Sequence, residues 1–588
     1  MKTKNKLFDW FKPIYGLLVV SLLISACGGR PTGQVEPTPI QLEASPTATV
    51  VPSPTPTPQP SVLNVCTAQE PASLYRYDGR NSESKKTSFS ALYGSAILEH
   101  DELSILLERV PSIENGDVQV LAVEVAAGDV VVDATGQLTV LKPGSLVIPH
   151  GCASAECVLT WDGESELALS ALEIRYQLKE SLQWSDGEPL SAEDVLFSYQ
   201  VASAEATPTN KQIIDLTENV AVEGDRTFIW TGVPGLTNQK PENSFWMPLP
   251  KHQLENLSPA ELLESQLTTQ EPLSWGTYRL VGWEMGQQLR FERNSFFDGA
   301  DPANTFDFLN ITIIPDQKAA LETFNAEVCD VLDTSYGLDA LPAEQLPGTI
   351  HVITPFNVGT LVFGVSPAEG AGVSADYFGD IRTRQAIALC VDPAELSSIL
   401  SGQKLVIGAP ILPDADPRAL LEAVGWVDDD ANPVTARISK GVENVTDLTP
   451  FEINLYSGQG ALDTAAAAEV GQRLGACGIE VNVSNLPAAQ LYAPGPEGIL
   501  FGRNFDLAIV NWAGYTREAN HCGYYLSSQV PSVENNWVGT NLPGYKDLAY
   551  DVACLTSTLS QDDPIDPIIA LDLVPRAEFR MSRDGVLH

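Results

Sequence analysis

Strand-like and helix-like patterns of hydrophobic residues alternate in the C-terminal half of the chain. Residues 451–455 and 479–483 each alternate apolar and polar positions, which predicts strands, and the alanine-rich stretch 462–476 between them predicts a helix. A strand, a helix and a strand in this order predict a βαβ unit with two parallel strands. The mostly apolar run 505–510 predicts a further buried strand. This half of the chain is therefore expected to be an α/β lobe.

Two short polar patterns mark the starts of predicted helices. Ser191 and Asp194 have the spacing of a capping box, in which each side chain bonds the backbone amide of the other residue, and an apolar face follows over 195–199. Asp392 is followed by a proline and, three residues on, by an acid, which is a typical helix start, and Gly402 lies near the expected end.

The N-terminus has the composition of an export signal. The first twelve residues contain four lysines. The apolar run 14–24 that follows is shorter than the roughly 20 residues that span a membrane. The sequence I-S-A-C that ends at Cys27 resembles the bacterial lipobox, in which the signal is removed before the cysteine and the thiol carries lipid. On that resemblance, residues 1–26 are a lipoprotein signal peptide and Cys27 is the lipidation site. The alternative is an ordinary cleaved signal with a free cysteine.

A tether is expected between the lipid and the folded body. Residues 27–61 are rich in proline and threonine and carry few apolar side chains, so they cannot bury enough surface to offset the entropy of ordering. The chain beyond is too long for one core, and two or three domains are expected. No other stretch is long and apolar enough to span a membrane.

Charge and cysteine content narrow the class of protein. The net charge of -42 argues against nucleic acid as a partner and favours solubility. Eight cysteines remain besides Cys27, an even number that suggests disulfides in an exported chain. Cys152 with Cys157 could close a local loop, and Cys522 with Cys554 could brace the last lobe. No pair has zinc-site spacing, so no metal is expected.

A series of motifs gives the chain a family resemblance. The stretch 178–195, L-K-E-S-L-Q-W-S-D-G-E-P-L-S-A-E-D-V, is similar to the signature of the family 5 extracellular solute-binding proteins, the oligopeptide-, dipeptide- and nickel-binding receptors of ABC importers. Other family motifs follow in the expected order: E-P-A-S-L at 70–74, L-P-K-H at 249–252, G-T-Y-R-L at 276–280, D-I-R-T-R-Q-A-I-A at 380–388, L-L-E-A-V-G-W at 420–426 and F-D-L at 505–507. Most of these residues have structural roles: Arg382 and Arg384, for example, are expected to form ion pairs that hold their helix.

The resemblance implies an α/β fold of the periplasmic-binding-protein type (type II). Two lobes enclose the ligand and close on it, and the first lobe carries an extra subdomain. The expected organisation is lobe I over 62–98, the inserted subdomain over 99–234, lobe I again over 235–335, lobe II over 336–561, and a return to lobe I over 562–588.

The expected ligand site lies where the last buried strand ends. Asn511, Trp512 and Tyr515 follow that strand, Tyr93 would join them from the first lobe, and strand ends open onto the crevice in such folds. Trp512 could equally be a core residue. Peptide-binding members anchor the amino group of the peptide on an Asp three residues after a Trp, and here that position is Tyr515. Either Glu518 or Asp506 replaces this Asp, or the ligand lacks a free amino terminus.

A second departure from the family is an insertion between about 118 and 172. Its strand-like segments, 130–132 and 138–147, predict extra surface hairpins together with Cys152 and Cys157. They could be a docking surface or simply a stabilised excursion of the chain.

The resemblance implies a monomeric, lipid-anchored protein outside the cytoplasm. It would bind a peptide or another small polar solute and pass it to ABC permease subunits. No catalytic motif, cofactor or metal site is expected. His521 beside Cys522 could ligate a metal, but a disulfide at Cys522 is the simpler expectation. The alternative function is a surface sensor or adhesion lipoprotein that reuses the fold without transport.

Overall fold

A computed structural model describes residues 60–80, 82–94, 102–299, 305–338, 346–353, 357–366, 377–401, 414–432, 434–513, 521–557, 567–575 and 578–583. The chain divides after Gln59, and all described residues belong to the second unit, Pro60–His588.

The strands are β1 Val62–Thr67, β2 Val118–Val125, β3 Val130–Val132, β4 Leu138–Val140, β5 Leu146–Val147, β6 Leu159–Thr160, β7 Leu167–Gln177, β8 Thr217–Glu223, β9 Thr227–Gly232, β10 Tyr278–Glu284, β11 Gln288–Arg293, β12 Phe308–Ile313, β13 Val331–Leu332, β14 Thr349–Ile353, β15 Asn357–Phe363, β16 Trp426–Val427, β17 Ile438–Ser439, β18 Glu452–Gly458, β19 Glu480–Leu486, β20 Leu507–Ala513, β21 Ala570–Pro575 and β22 Glu578–Ser582. The helices are α1 Glu83–Tyr93, α2 Glu102–Leu106, α3 Ala192–Ser203, α4 Gln212–Asp215, α5 Lys251–Leu254, α6 Pro259–Leu262, α7 Gln266–Thr269, α8 Gln317–Asn325, α9 Ile381–Val391, α10 Pro393–Ser401, α11 Pro417–Val424, α12 Ala461–Ala476, α13 Ala488–Leu491 and α14 Leu548–Leu555.

The first lobe is built on a seven-stranded sheet in the order β10-β11-β12-β1-β13-β22-β14. β1 lies inside this sheet and runs parallel to both of its neighbours, β12 and β13. Leu63 and Val65 of β1 are buried in the main core. Because the partners of β1 come from much later in the chain, this pairing depends on contacts that no local pattern shows.

A four-stranded antiparallel sheet, β2-β7-β9-β8, belongs to the same lobe. α3 packs on β8 and β9, and its predicted capping box is confirmed, since Asp194 accepts a hydrogen bond of 2.8 Å from the backbone N–H of Ser191. Tyr176 of β7 and Trp230 of β9 lie in one core cluster with Leu63 of β1. This part of the chain therefore has its own sheet but shares its core with the rest of the lobe.

The second lobe is built on a five-stranded sheet in the order β19-β18-β20-β15-β21. The predicted βαβ unit is confirmed as β18, α12 and β19, and the two strands run parallel. Alternate residues of β20 face opposite sides: Ile509 packs in the core beneath α9 and α12, whereas Val510 packs in a smaller core on the other face. Both faces of this sheet are covered, which explains the nearly unbroken apolar run.

The chain changes from one sheet to the other later than the sequence suggests. The expected boundaries were 335/336 and 561/562. β14 still pairs with β22 in the first sheet, and β21 still pairs with β15 in the second. The changes of sheet therefore lie between Ile353 and Asn357 and between Pro575 and Glu578. Strand patterns show where strands lie, but their partners decide which lobe they belong to.

Four disulfides join the described parts of the chain. The expected pairs Cys152–Cys157 and Cys522–Cys554 are both present. Two further bridges link distant positions, Cys66 to Cys329 and Cys390 to Cys477. Because Cys522 is bonded to Cys554, its sulfur is not a free thiolate for a metal beside His521.

The family-like motifs mostly hold the lobes together. Arg382 forms the expected ion pair with Asp380 at 2.5 Å. Arg384 is buried and donates to backbone carbonyls, among them that of Pro567 at 3.0 Å. The imidazole Nε2 of His252 lies 3.0 Å from a carboxylate oxygen of Asp186, which joins two motifs that are far apart in sequence.

Among the described residues, no helix is both long enough and apolar enough to cross a bilayer.

Candidate functional site

Residues 521–557 contact both lobes. The carbonyl of Pro543 accepts a hydrogen bond of 3.0 Å from the N–H of Val365, next to β15 of the second lobe. On the other side, the side-chain amide of Asn238 lies 3.3 Å from the sulfur of Cys554, and Thr237 donates to the carbonyl of Leu555. We call residues 521–557 the bridging segment.

Internal bonds give the bridging segment a defined shape. The Cys522–Cys554 disulfide ties its 3-10 turn, His521–Tyr525, to α14. The side chain of Asn541, which is fully buried, donates to the carbonyls of Tyr525, Leu526 and Tyr545 at 2.7 to 3.0 Å. Since a buried amide that is fully bonded fixes the backbone around it, the segment forms a rigid wall.

A cavity of about 490 Å³ lies between this wall and the first lobe. That volume is in the range of small-molecule sites. Its lining mixes apolar side chains with amides and two opposite charges: Val132, Gly136, Gln212, Ile213, Leu216, Leu236, Asn238, Gln239, Lys240, Glu242, Asn243, Gly523, Tyr524, Leu526, Gln529, Thr540 and Leu555. Such a lining can bury an apolar part of a ligand and bond its polar groups.

The wall on the first lobe depends on a glycine. Gly235 follows β9 at a φ of +97°, and a Cβ there would lie 2.1 Å from the carbonyl oxygen of Val132. Only glycine allows this close approach without strain. The N–H of Val132 in turn donates to the carbonyl of Pro234 at 2.8 Å, so residues 236–243 are held against the inserted strands.

Trp512 lies one layer behind the cavity. Its ring is 5.6 Å from that of Tyr524, which lines the cavity, and its other side packs on the small core with Leu491 and Leu500. The side chain is half-buried, and its indole N–H has no hydrogen-bond partner among the described residues. Trp512 is thus both a core residue and a support for the cavity wall.

Asn511 faces the opposite side of the sheet. Its side-chain amide lies 3.3 and 3.4 Å from the two carboxylate oxygens of Asp463, in the first turn of α12. The amide oxygen of Asn511 is buried without a described partner. A Cβ at Gly458 would lie 2.7 Å from the Asp463 carboxylate, so this glycine makes room for the acid.

Tyr93 lies away from the cavity, in the core of the first lobe. Its ring is 4.3 Å from that of Trp275, and the guanidinium of Arg76 lies 4.7 Å from the ring centre. Its hydroxyl is 3.4 Å from the carbonyl of Leu273. The structure therefore does not bring Tyr93 together with Asn511 and Trp512 at the cavity.

Asp506 cannot replace the family Asp near Trp512. It precedes β20, about 20 Å of strand from Trp512. Its carboxylate accepts hydrogen bonds of 2.8 and 2.9 Å from Asn454, and burial raises its pKa. Asp506 holds β18 beside β20. Tyr515, Glu518 and Cys27 lie outside the described residues.

Comparison with known proteins agrees with this architecture. A family model described as bacterial extracellular solute-binding proteins, family 5 Middle, matches residues 164–532, more than half of the chain. The chain belongs to this family. The resemblance inferred from the motifs is confirmed.

Curated relatives of this family 5 solute-binding protein are distant. The oligopeptide-binding protein AppA of Bacillus subtilis is 23% identical over 403 residues, which cover 64% of this chain and 68% of AppA. The periplasmic oligopeptide-binding protein OppA of Haemophilus influenzae is 24% identical over 285 residues, 42% of this chain and 49% of OppA. Several Brucella binding proteins match over 36% of their own length.

Solved structures share the fold of the family 5 protein. The murein tripeptide-binding protein MppA, in its unliganded open form, has a TM-score of 0.58 at 13% identity and covers 90% of this chain and 94% of its own. The substrate-binding protein CtaP of Listeria monocytogenes has a TM-score of 0.55 at 14% identity, covering 90% and 95%. At these identities the likeness concerns the fold: a two-lobed α/β protein.

The sequence missed most of the cavity lining of this family 5 protein. Tyr524, Asn238 and Gln239 lie in stretches without a regular pattern, because irregular backbone carries no periodic signal. One signal was available: the dipeptide Pro234-Gly235 is a turn former, and it stands directly before the wall residues.

Proposed function

We propose that this family 5 protein is a lipid-anchored receptor outside the cytoplasm, which binds a peptide or a polar solute of similar size between its lobes and delivers it to the permease of an ABC importer. The observation that carries the proposal is the cavity between the first lobe and the bridging segment, which is also bonded to the second lobe. A ligand that contacts both walls binds the closed form better than the open form, so it drives closure. The relative AppA is an oligopeptide-binding protein, which supports a peptide as the ligand.

The lining suits a peptide backbone. Asn238, Gln239 and Gln529 carry both donors and acceptors, which can pair with amide groups, while Leu216 and Leu236 can cover apolar side chains. Binding and release require no chemical step, so we propose neither an enzymatic activity nor a cofactor.

The anchor follows from the start of the chain. A lipid on Cys27 and the proline-rich residues up to 61 would hold the folded body near the membrane and the permease. We propose that the protein acts there as a monomer.

Calorimetry against pooled peptides, with small-angle scattering, tests solute binding. We expect heat of binding and a smaller radius of gyration for at least one pool. Gln239→Ala should weaken binding by about fivefold, since a hydrogen bond contributes about 1 kcal/mol. Gln119→Ala, on the exposed face of β2, is the matched control and should bind normally. Neither heat nor compaction for any solute class would contradict the proposal.

Uptake separates transport from sensing. A strain that lacks the protein should fail to import the solute found by calorimetry. Normal import in that strain, with intact binding by the purified protein, would instead favour the sensor or adhesion function.

A further inference from the structure

The insertion between β2 and β7 is a packed unit. Its hairpins, β3 with β4 and β5 with β6, lie over a small core that includes Val131, Leu141 and Trp161. The Cys152–Cys157 bridge closes its last loop. The predicted hairpins are confirmed, and their core shows that they form a structured element.

One turn of this unit touches the bridging segment. The carbonyl of Thr135 accepts a hydrogen bond of 3.2 Å from the N–H of Ser528. A Cβ at Gly136 would lie 2.8 Å from a methyl carbon of Leu526 and 3.1 Å from the hydroxyl of Ser528. Gly136 and Val132 also line the cavity. The turn therefore forms part of the cavity wall and of the contact across it.

The opposite side of this contact is held by the second lobe. The N–H of Val365 donates to the carbonyl of Pro543. The ring of Trp537 packs closely on Gly495, where an added Cβ would lie 2.5 Å from a ring carbon. Asn541 ties Leu526 and Ser528 to the rest of the bridging segment. Its side-chain amide donates to the carbonyl of Leu526, and its backbone N–H donates to the carbonyl of Gln529, the neighbour of Ser528. Leu526 and Leu555 of the bridging segment also lie in the main core of the first lobe. If the bridging segment moves with the second lobe, it separates from the turn when the lobes open.

We propose that the inserted hairpins are the first-lobe half of the closing contact, and that turn 133–137 controls how readily the lobes close. The proposal rests on the proposed function only in that the two lobes move relative to each other.

Like charges meet at this contact. Asp551 of α14 is buried; one carboxylate oxygen accepts from the N–H of Ser527 at 2.9 Å, and the other has no described partner. Asp133 of the inserted turn holds its carboxylate as an acceptor for Thr135 and for the N–H of Gln137. Burial, with the charges of Asp547 and Asp133, raises the pKa of Asp551 to about 6.

Other titratable groups also lie around α14. The segment Ala155–Cys157 packs against α14 and brings exposed Glu156. Burial raises the pKa of Tyr545, and the charges of Asp547 and Asp551 add to this. Two cations lie near this end of the segment. The charge of Arg384 lowers the pKa of Tyr545, and the charge of Lys546 lowers the pKa of Glu534.

Protonation of Asp551 should favour the closed state. Closure buries Asp551 and brings Asp133 towards it, and both changes disfavour the ionised form. The closed state therefore binds the proton more tightly than the open state, so its population should fall as the pH rises from about 4 through about 6.

Cross-linking tests the contact without any solute. Thr135→Cys with Ser528→Cys should form a disulfide under mild oxidation, because their backbones are hydrogen-bonded to each other. Gly151→Cys with Ser528→Cys is the control, since Gly151 is exposed in the same insertion. We expect at least tenfold faster linking for the first pair and a compact linked form by small-angle scattering. Equal rates for the two pairs would overturn the proposal.

A substitution tests the role of the turn in closure. Gly136→Gln should enlarge the radius of gyration of the solute-free protein, because the new side chain would collide with Leu526. Gly151→Gln is the matched control: Gly136 and Gly151 both have a φ of +82°, but a Cβ at Gly151 meets nothing within 4 Å. Equal radii for the two variants would contradict the proposal.

The pH dependence supplies an independent readout. The radius of gyration should grow between pH 5 and pH 8 in the native protein and stay constant in Asp551→Asn. If the radius of gyration of the native protein does not change with pH, the proposed role of Asp551 and Asp133 in closure is contradicted. Because these measurements need no ligand, their failure is distinguishable from a failure of solute binding.

Discussion

Trp512 divides its contacts between a core and a cavity wall. One face packs near Leu491 and Leu500, and the other meets the ring of Tyr524. The sequence left Trp512 as either a ligand-site residue or a core residue. It packs in a core and also contacts Tyr524 of the cavity wall, because β20 ends where the sheet meets the bridging segment. A residue in this position couples the stability of the lobe to the shape of the site.

Trp512→Ala should therefore lower both stability and affinity. A fully buried Trp would cost 3 to 5 kcal/mol, and because Trp512 is half-buried we expect roughly 2 kcal/mol in urea unfolding. Solute affinity should fall at least tenfold by calorimetry, because Tyr524 loses its support. Trp283→Ala is the control: it is also half-buried, but it lies in β10, where its indole N–H bonds Glu70, and the variant should lose only stability. Unchanged affinity in a folded Trp512→Ala protein would remove Trp512 from the site.

Tyr515 occupies the position of the family Asp. Asp506 is bonded to Asn454 and lies at the other end of β20, so it does not take the place of the family Asp beside Trp512. Tyr515→Asp should therefore increase affinity for peptides with a free amino group by about tenfold or more, through a charged hydrogen bond. Tyr515→Asn, which has the same size without the charge, is the control. No gain over Asn in calorimetry would mean that the ligand is not anchored there.

At the scale of elements, long-range bridges and pairings decide the fold. The βαβ unit of β18, α12 and β19 could be predicted, because its strands pair across a short crossover. The seven-stranded sheet could not, because β1 pairs with strands from 308 and 331 onward. The Cys66–Cys329 bridge spans this same long connection.

The two kinds of disulfide should differ in their effect on stability. Loop entropy predicts that removing Cys66–Cys329, which are 263 residues apart, costs about 5 kcal/mol, against about 2 kcal/mol for Cys152–Cys157, which are 5 apart. Paired Cys→Ala variants in urea unfolding would measure the difference. Equal losses would show that native-state packing outweighs loop entropy at these bridges.

For the whole molecule, the proposed lipidation of Cys27 would set where the protein acts. Cys27→Ser should abolish labelling by a fatty-acid analogue, because serine has no thiol to carry the lipid, and should move the protein from the membrane fraction to a soluble or unprocessed form. Ser25→Ala, which keeps the cysteine and a small residue before it, is the control and should be labelled. Labelling of the Cys27→Ser protein would contradict lipidation at Cys27.

The sequence by itself determined the family, the local elements and the bridge within the insertion. Capping boxes, strand alternation and the motif over 178–195 are local, because they depend on backbone bonds between near neighbours. Tertiary structure alone decided where the chain changes sheets, that Arg384 bonds carbonyls, and that Tyr93 is a core residue. It also decided that the bridging segment and turn 133–137 together wall the cavity. These features join residues hundreds of positions apart, and packing sets such contacts without leaving a periodic signal in the sequence.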